Sequence, residues 1–353
     1  MDYLKIYDKN SLANCAFFME EGFVVFYATT MDKYTIKGNN LVLGCTELLM
    51  KNFCGEHTLR LETLVAPAYA SLKKIPEEKF IANLQSYSFL LNVSIVLAKQ
   101  VLLTNKIINR NSTLLDGEKR ELRDLSTKYY RAVSALNLEY EKRKLPWLND
   151  ILKNHLVSLN YKRGEAFCKS QESITVGELK FLSDKMIEYP KGSAICKESD
   201  QGDELFILQA GSLDVEVGGV KVATIDKQGT VFGEMALLLS EKRSATLRAK
   251  NNTVVLKISR QELKEICEKD NSLLKTIAIS LAQKHYYNLL KVSSLTSTMV
   301  DMAMSLEEDT EDFSTPQQIY RLKADLGKLK NEISDAIYKK DADFLKPIEE
   351  ILS

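Results

Sequence analysis

The chain has no excess of charge of either sign: 48 Lys plus Arg balance 48 Asp plus Glu over 353 residues. No net field draws it to nucleic acid or to an anionic membrane, and neither is expected as a partner. Its six cysteines, at 15, 45, 54, 168, 196 and 267, form no Cys-x-x-Cys pair and follow no regular spacing. Reduced thiols are expected rather than a disulfide framework. The three histidines, His57, His155 and His285, lack partners at metal-ligand spacing, so no metal is expected. The start, Met1-Asp-Tyr-Leu-Lys-Ile6, has neither a basic region nor an apolar signal core. The most membrane-like run, Phe89 to Leu103, is broken by Asn92, Ser94, Lys99 and Gln100, which suits a buried amphipathic helix better than a span. No nucleophile–base pair, Walker loop, kinase segment or cyclase segment is present. The expectation is a cytoplasmic protein that is not an enzyme.

What is present begins with internal similarity. A shift of 189 residues aligns Ile6 with Ile195, Phe17 with Phe206, Gly22 with Gly211 and Gly44 with Gly233. Thr35-Ile36 then matches Thr224-Ile225, Val42 matches Val231, and Leu48-Leu49 matches Leu237-Leu238. With one residue inserted, Thr58-Leu-Arg60 falls on Thr246-Leu-Arg248. Between the copies, Leu122, Leu125, Tyr129, Val133, Leu136 and Tyr140 step by threes and fours on one helical face. Pro146 interrupts that stripe, and Trp147, Leu148, Ile151, Leu152, His155, Leu156 and Leu159 resume it. His155 on such a stripe reads as a packed core histidine. From Ser173 to Ile258 the pattern changes to short apolar stretches separated by glycine turns, at spacings suited to an antiparallel barrel or jelly roll. Asp203 in one of these turns reads as a turn residue rather than an acid catalyst.

The stretch with chemical content is Gly229-Thr-Val-Phe-Gly-Glu-Met-Ala-Leu-Leu-Leu-Ser-Glu-Lys-Arg-Ser-Ala-Thr246. Phe232 ends a strand, and Gly233 permits a sharp turn or a close ligand approach. A short helix start from Glu234 would leave the amides near Gly233, Glu234, Met235 and Ala236 facing outward, a setting that favours an anion. Arg243 supplies a guanidinium suited to phosphate, and Ser244 adds a hydroxyl donor. Glu234, acceptor-only when ionised, suits a hydroxyl pair such as a ribose. Together these groups describe a sugar phosphate.

Phe232-Gly233-Glu234-Met235-Ala236-Leu237 followed by Arg243-Ser244-Ala245-Thr246 resembles the phosphate-binding cassette of the cyclic nucleotide-binding domain family, of the catabolite activator and kinase regulatory-subunit type. Gly202-Asp203 and Gly211 resemble a further segment of that family. The resemblance implies an α+β fold of two β-barrel or jelly-roll domains joined and flanked by helices. The expected segments are a degenerate cyclic nucleotide-binding-like domain at 1–110, a helical linker at 111–170, a cyclic nucleotide-binding domain at 171–295 and a tail at 296–353. In the first copy Cys45 takes the place of Glu234 and Cys54 that of Arg243, so its pocket is expected to be lost. The ligand implied for the second copy is a cyclic nucleotide, cyclic AMP ahead of cyclic GMP because a serine follows the arginine. The family also implies a last helix that covers the base. Tyr286 and Tyr287 stand at about the right reach for this, with core packing or a subunit contact as the rival reading.

The tail carries Glu307-Glu-Asp-Thr-Glu-Asp312 where activator-type proteins carry a basic helix-turn-helix. Ile319, Leu322, Leu326, Leu329, Ile333 and Ile337 form the stripe of a short coiled coil or paired helix, continuing straight through Ala324-Asp-Leu-Gly327. The expected function is a cyclic nucleotide sensor whose output is a contact with a protein partner, or self-association through the C-terminal helix. A scaffold that keeps the fold and binds no nucleotide is the alternative, and a DNA-binding regulator is a more distant one.

Overall fold

The computed structural model describes residues 2–56, 59–113, 117–169, 174–175, 185–305 and 315–352. The acidic run 307–312 and His57 lie outside the described residues. The chain opens with β1 (Tyr3–Tyr7), β2 (Cys15–Tyr27), β3 (Lys33–Leu43), α1 (Thr46–Cys54), β4 (Thr63–Pro67) and β5 (Leu72–Pro76). Helices α2 (Glu77–Asn83), α3 (Tyr87–Thr113), α4 (Gly117–Arg143), α5 (Pro146–Leu156) and α6 (Leu159–Lys169) follow. A second β region holds β6 (Ile174–Thr175), β7 (Met186–Tyr189), β8 (Ala194–Cys196), β9 (Glu204–Ala210), β10 (Leu213–Val217), β11 (Val220–Ile225) and β12 (Thr230–Phe232). It closes with α7 (Glu234–Leu239), β13 (Thr246–Ala249) and β14 (Thr253–Ser259). Then come α8 (Arg260–Lys269), α9 (Ser272–Ser305), α10 (Thr315–Lys340) and α11 (Lys346–Leu352).

Two compact units divide this chain. The first gathers Met1–Phe26, Tyr34–Leu103 and Glu172–Tyr286; the second gathers Tyr27–Lys33, Thr104–Gln171 and Tyr287–Ser353. In the first unit the early strands form a sheet in the order β1-β4-β2-β3, with β5 paired to β2. The later strands form two sheets, β11-β10-β13-β8 and β6-β12-β9-β14-β7. The same antiparallel pairings recur in both regions. β1 pairs with β4 as β8 does with β13, and β2 pairs with β5 as β9 does with β14.

Strand β9 shows how the second barrel fills. Side chains alternate across a strand, so Leu205 and Ile207 point one way and Phe206 and Leu208 the other. Phe206 and Leu208 join Leu213, Phe232, Leu247 and Val255 inside the barrel. Leu205 and Ile207 join the core that also takes Leu263 of α8, Leu274, Ile277 and Leu281 of α9, and Leu48, Phe80, Leu90 and Leu97 from the first region. Helix α8 starts cleanly because Ser259 and Glu262 cap its first turn reciprocally. Residues 87–111 are long and apolar enough to cross a membrane by length and composition alone. Leu90, Val93, Leu97, Ala98 and Val101 of that stretch are buried in the same core.

The second unit is helical. Leu122, Tyr129, Val133 and Leu136 of α4 pack with Leu148 and Leu152 of α5, with Ile319, Leu322, Leu329 and Ile333 of α10, and with Ile348 and Leu352 of α11. The stripe expected to form a coiled coil or a helix pair is thus covered by the chain's own α4 and α11. Helix α10 runs unbroken through Gly327. His155 is buried and satisfied at both ring nitrogens, Nδ1 lying 2.6 Å from the Tyr129 hydroxyl and Nε2 2.9 Å from a Glu332 carboxylate oxygen.

Helices α4 and α6 touch through Gly164, where an added Cβ would stand 2.0 Å from the Ser126 carbonyl oxygen and 2.6 Å from Tyr130 Cβ. Backbone cannot yield there as a flexible side chain would. Gly164→Ala is expected to lower unfolding free energy by about 1–3 kcal/mol in a urea titration, the usual cost of overpacking. A change below about 0.5 kcal/mol would contradict this packing.

Candidate functional site

Strand β12 brings Phe232 to the edge of the second barrel, where Gly233 turns the chain at φ +76° and α7 begins. A side chain at Gly233 would collide with the guanidinium of Arg243, its Cβ only 2.5 Å from Nη1. Glycine is required by that approach and by the left-handed backbone together. No side chain caps α7, so its first amides have no acceptor within the helix. Gly202 lies against the same helix; a Cβ on it would come within 2.2 Å of Ala236 Cβ. The turn at 200–203 and the cassette are therefore in direct backbone contact.

A cavity of about 250 Å³ opens here, small among ordinary ligand pockets of ~300–1,000 Å³. Phe232, Gly233, Glu234, Met235, Ala236, Arg243, Ser244 and Ala245 all line it, together with Val215, Ile225, Leu247 and Lys284. Eight of the ten residues singled out in the sequence thus surround one space. Tyr286 and Tyr287 are not among its lining residues, and Tyr287 is buried elsewhere. The side chain that α9 presents to the cavity is Lys284, whose Nζ lies 3.5 Å from Glu234 Oε1.

Arg243 is held rigidly. It is 5% exposed, donates from Nη1 to the Gly233 carbonyl at 3.0 Å and from Nη2 to the Glu204 carbonyl at 2.7 Å. Its guanidinium carbon lies 5.3 Å from the centre of the Phe206 ring. Its Nε is buried without an acceptor among the described residues. An orphaned donor on a buried cation is costly. An oxyanion in the cavity suits this charge and these donors. Glu234, also 5% exposed, is the one carboxylate in the lining and faces the same space.

The segment from β7 to the end of α8, residues 186–270, matches the family model described as the cyclic nucleotide-binding domain. Residues 186–270 belong to that family. A cGMP-dependent protein kinase of Toxoplasma gondii is 31% identical over 156 residues, 42% of this chain and 16% of the kinase. A cAMP-dependent protein kinase regulatory subunit of Aspergillus niger is 38% identical over 81 residues, 23% of this chain and 20% of the subunit. The chain thus spans a fifth or less of the length of these relatives. A solved structure of cAMP-bound PfPKA-R (141–441) aligns with 76% of this chain and 72% of that one, at 19% identity and a TM-score of 0.25.

Beside this cyclic nucleotide-binding domain, the first barrel departs from expectation at one point. Its arginine is not lost. Arg60, which the inserted residue aligns with Arg248, stands instead in the place of Arg243 that a plain shift assigns to Cys54, because ten residues separate Leu49 from Arg60 where four separate Leu238 from Arg243. Arg60 donates from Nη1 to the carbonyl of Gly44 at 2.8 Å, as Arg243 does to Gly233. Cys45, in the place of Glu234, is buried with its thiol donating to the Val42 carbonyl. Burial pushes that thiol well above its usual range.

Helix α9 joins the two cassettes inside the first unit. Next to Lys284, the fully buried His285 places Nδ1 2.7 Å from Thr46 Oγ1 and Nε2 3.1 Å from the Tyr34 hydroxyl. Tyr34 in turn donates to the buried carboxyl of Glu62, which also accepts from Gln100 at 3.1 Å. Burial, and then the charge of Glu47, hold the Glu62 carboxyl well above the usual carboxylate range. Burial pushes the His285 imidazole down to about 3 from an ordinary 6.5.

The sign of the pH dependence follows. Folded His285 stays neutral while the unfolded chain takes up its proton below about pH 6.5, so stability falls with acidification by ~1.4 kcal/mol per unit until about pH 3. Glu62 works in the opposite sense, its contribution being complete at low pH and lost as pH rises above the ordinary carboxylate range. Replacing His285 with Gln should therefore shrink the stability lost between about pH 7.5 and about pH 5 by ~2 kcal/mol. Parallel stability–pH curves for the two proteins in denaturant titrations would refute a neutral His285.

Proposed function

We propose that the second barrel is a cyclic nucleotide sensor and that the chain is a cytoplasmic, non-enzymatic regulatory protein. The observation that carries this reading is the buried Arg243, with an orphaned Nε, beside a cavity whose lining includes the family's cassette. The cyclic phosphate sits on Arg243, the Ser244 hydroxyl and the amides from Gly233 to Ala236. The ribose hydroxyl bonds to Glu234, which requires Lys284 to yield its place at that carboxylate. Matched relatives are named for both cyclic AMP and cyclic GMP. Cyclic AMP is favoured because the residue after Arg243 is serine, as the family resemblance suggests.

Binding shifts an equilibrium only through contacts made in one state and not in the other. Here that difference lies in the Lys284–Glu234 pair, made without ligand and opened with it. Freeing Lys284 alters the hold of α9 on the cassette, and the output passes to a protein partner. The scaffold reading draws on one observation of its own: Arg243 and Glu234 already have partners within the chain.

Isothermal titration of the full chain with cyclic AMP and cyclic GMP separates the two. Wild type is expected to bind at one site, with cyclic AMP the tighter ligand. Arg243→Ala should weaken binding by ~2–5 kcal/mol, as removal of one partner of a buried charge pair does, and Arg243→Lys should recover only part of it. No heat from either nucleotide with wild type would leave the scaffold reading standing.

A further inference from the structure

The two barrels hold their arginines by matching backbone contacts. Gly44 turns at φ +71° and Gly233 at φ +76°. From Nη1 each guanidinium donates to its own glycine carbonyl, at 2.8 Å in the first barrel and 3.0 Å in the second. From Nη2, Arg60 donates to the carbonyl of Cys15 and Arg243 to that of Glu204, residues that are themselves equivalent under the 189-residue shift. An aromatic ring lies beside each cation, Tyr7 at 4.3 Å from Arg60 and Phe206 at 5.3 Å from Arg243. In both arginines Nε is buried without an acceptor among the described residues.

The frames differ in the carboxylate that meets the arginine. Three residues beyond the glycine, the second barrel has Ala236 and the first has Glu47. The Glu47 carboxylate reaches back into the frame. Its Oε2 accepts from Arg60 Nη1 at 3.0 Å, and its Oε1 accepts from the amide of Leu61, the residue after the arginine, at 3.1 Å. Arginine and carboxylate are buried together, with side chains 1% and 2% exposed. A methyl group at Ala236 offers Arg243 no such acceptor; the carboxylate nearest Arg243 is that of Glu204, whose partly exposed Oε2 lies 3.4 Å from Nη2. Cys45 meanwhile deprives the first barrel of the carboxylate that would take a ribose.

We propose that the first barrel retains a working oxyanion site whose permanent ligand is the chain's own Glu47, and that removing this carboxylate opens the site to a small free oxyanion. The site takes a carboxylate- or phosphate-sized group and no nucleoside. It is a built-in occupant, not a loss of charge, that distinguishes the first barrel from the second. The cassette helix α1 is thereby locked without ligand, and His285 has a constant seat on its first residue, Thr46. This inference stands on the first barrel alone and does not depend on nucleotide binding in the second.

Chemical rescue of the full chain tests it, with acetate as the probe and sodium chloride at equal ionic strength as the control. Glu47→Ala should melt lower than wild type by on the order of 10 °C in chloride, since it strands a buried cation. Acetate at tens of millimolar should return a substantial part of that loss. Wild type and the double variant Glu47→Ala/Arg60→Leu should show no acetate gain. Glu47→Gln, which fills the same space without charge, should melt below wild type and ignore acetate. Equal melting of Glu47→Ala in acetate and chloride, or equal rescue of the double variant, would overturn the proposal. If Glu47→Ala yields no folded protein in either salt, Glu47→Gln decides: melting at the wild-type temperature overturns the proposal, and a lowered midpoint supports it.

Discussion

One clamp organises the first unit: an arginine reaching back across a turn to the carbonyl of the glycine that makes it. The contact demands glycine, because any Cβ at Gly233 or Gly44 would lie within 2.5 Å or 2.9 Å of the guanidinium. It demands arginine, because a second donor must reach the neighbouring strand at Glu204 or Cys15. And in both places the cation lies against an aromatic ring, Phe206 or Tyr7. The cassette helices, the cavity and the seating of α9 all take their positions from these two turns. What each barrel does is then decided by how the arginine's charge is answered: by the fully buried Glu47 in one, and by the more distant, partly exposed Glu204 beside a cavity in the other.

The second cassette was legible because its chemistry is local. Gly233, Glu234, Arg243 and Ser244 lie within a dozen residues, and a turn, a helix start and a following strand bring them together without help from distant packing. The helical stripes of α4, α5 and α10 were legible for the same reason, since a period of three to four residues is written directly in the sequence. Their pairing within one chain was not, because a stripe names no partner.

Two differences between the sequence pattern and the structure have physical causes. Arg60 escapes a fixed shift because the segment between the turn and the arginine can lengthen without moving its ends; six further residues between glycine and arginine, most of them before the end of a longer α1, displace it while the frame stays the same. Tyr286 and Tyr287 stand at about the right reach for the base yet do not line the cavity, and Tyr287 is buried, because distance along the chain sets reach and helical phase sets facing. One residue changes the facing by about 100°, so Lys284 meets the cavity while its neighbour His285 meets the other barrel. Glu47 carried no signal at all. A glutamate in the first turn of a helix is ordinary, and only its return to Arg60 gives it meaning.

The adjacency of Lys284 and His285 limits how α9 can move. His285 is fully buried and gripped at both ring nitrogens, and a roll of the helix about its own axis would break both bonds to free one lysine. Rolling is therefore the expensive motion. The turns of α9 toward Ser272 are held as well, because Leu273, Leu274, Ile277 and Leu281 are buried in the core and Asn271 donates to the carbonyls of Leu84 and Gln85. Helix α9 is thus anchored in one barrel through His285 and reaches the other through the flexible side chain of Lys284.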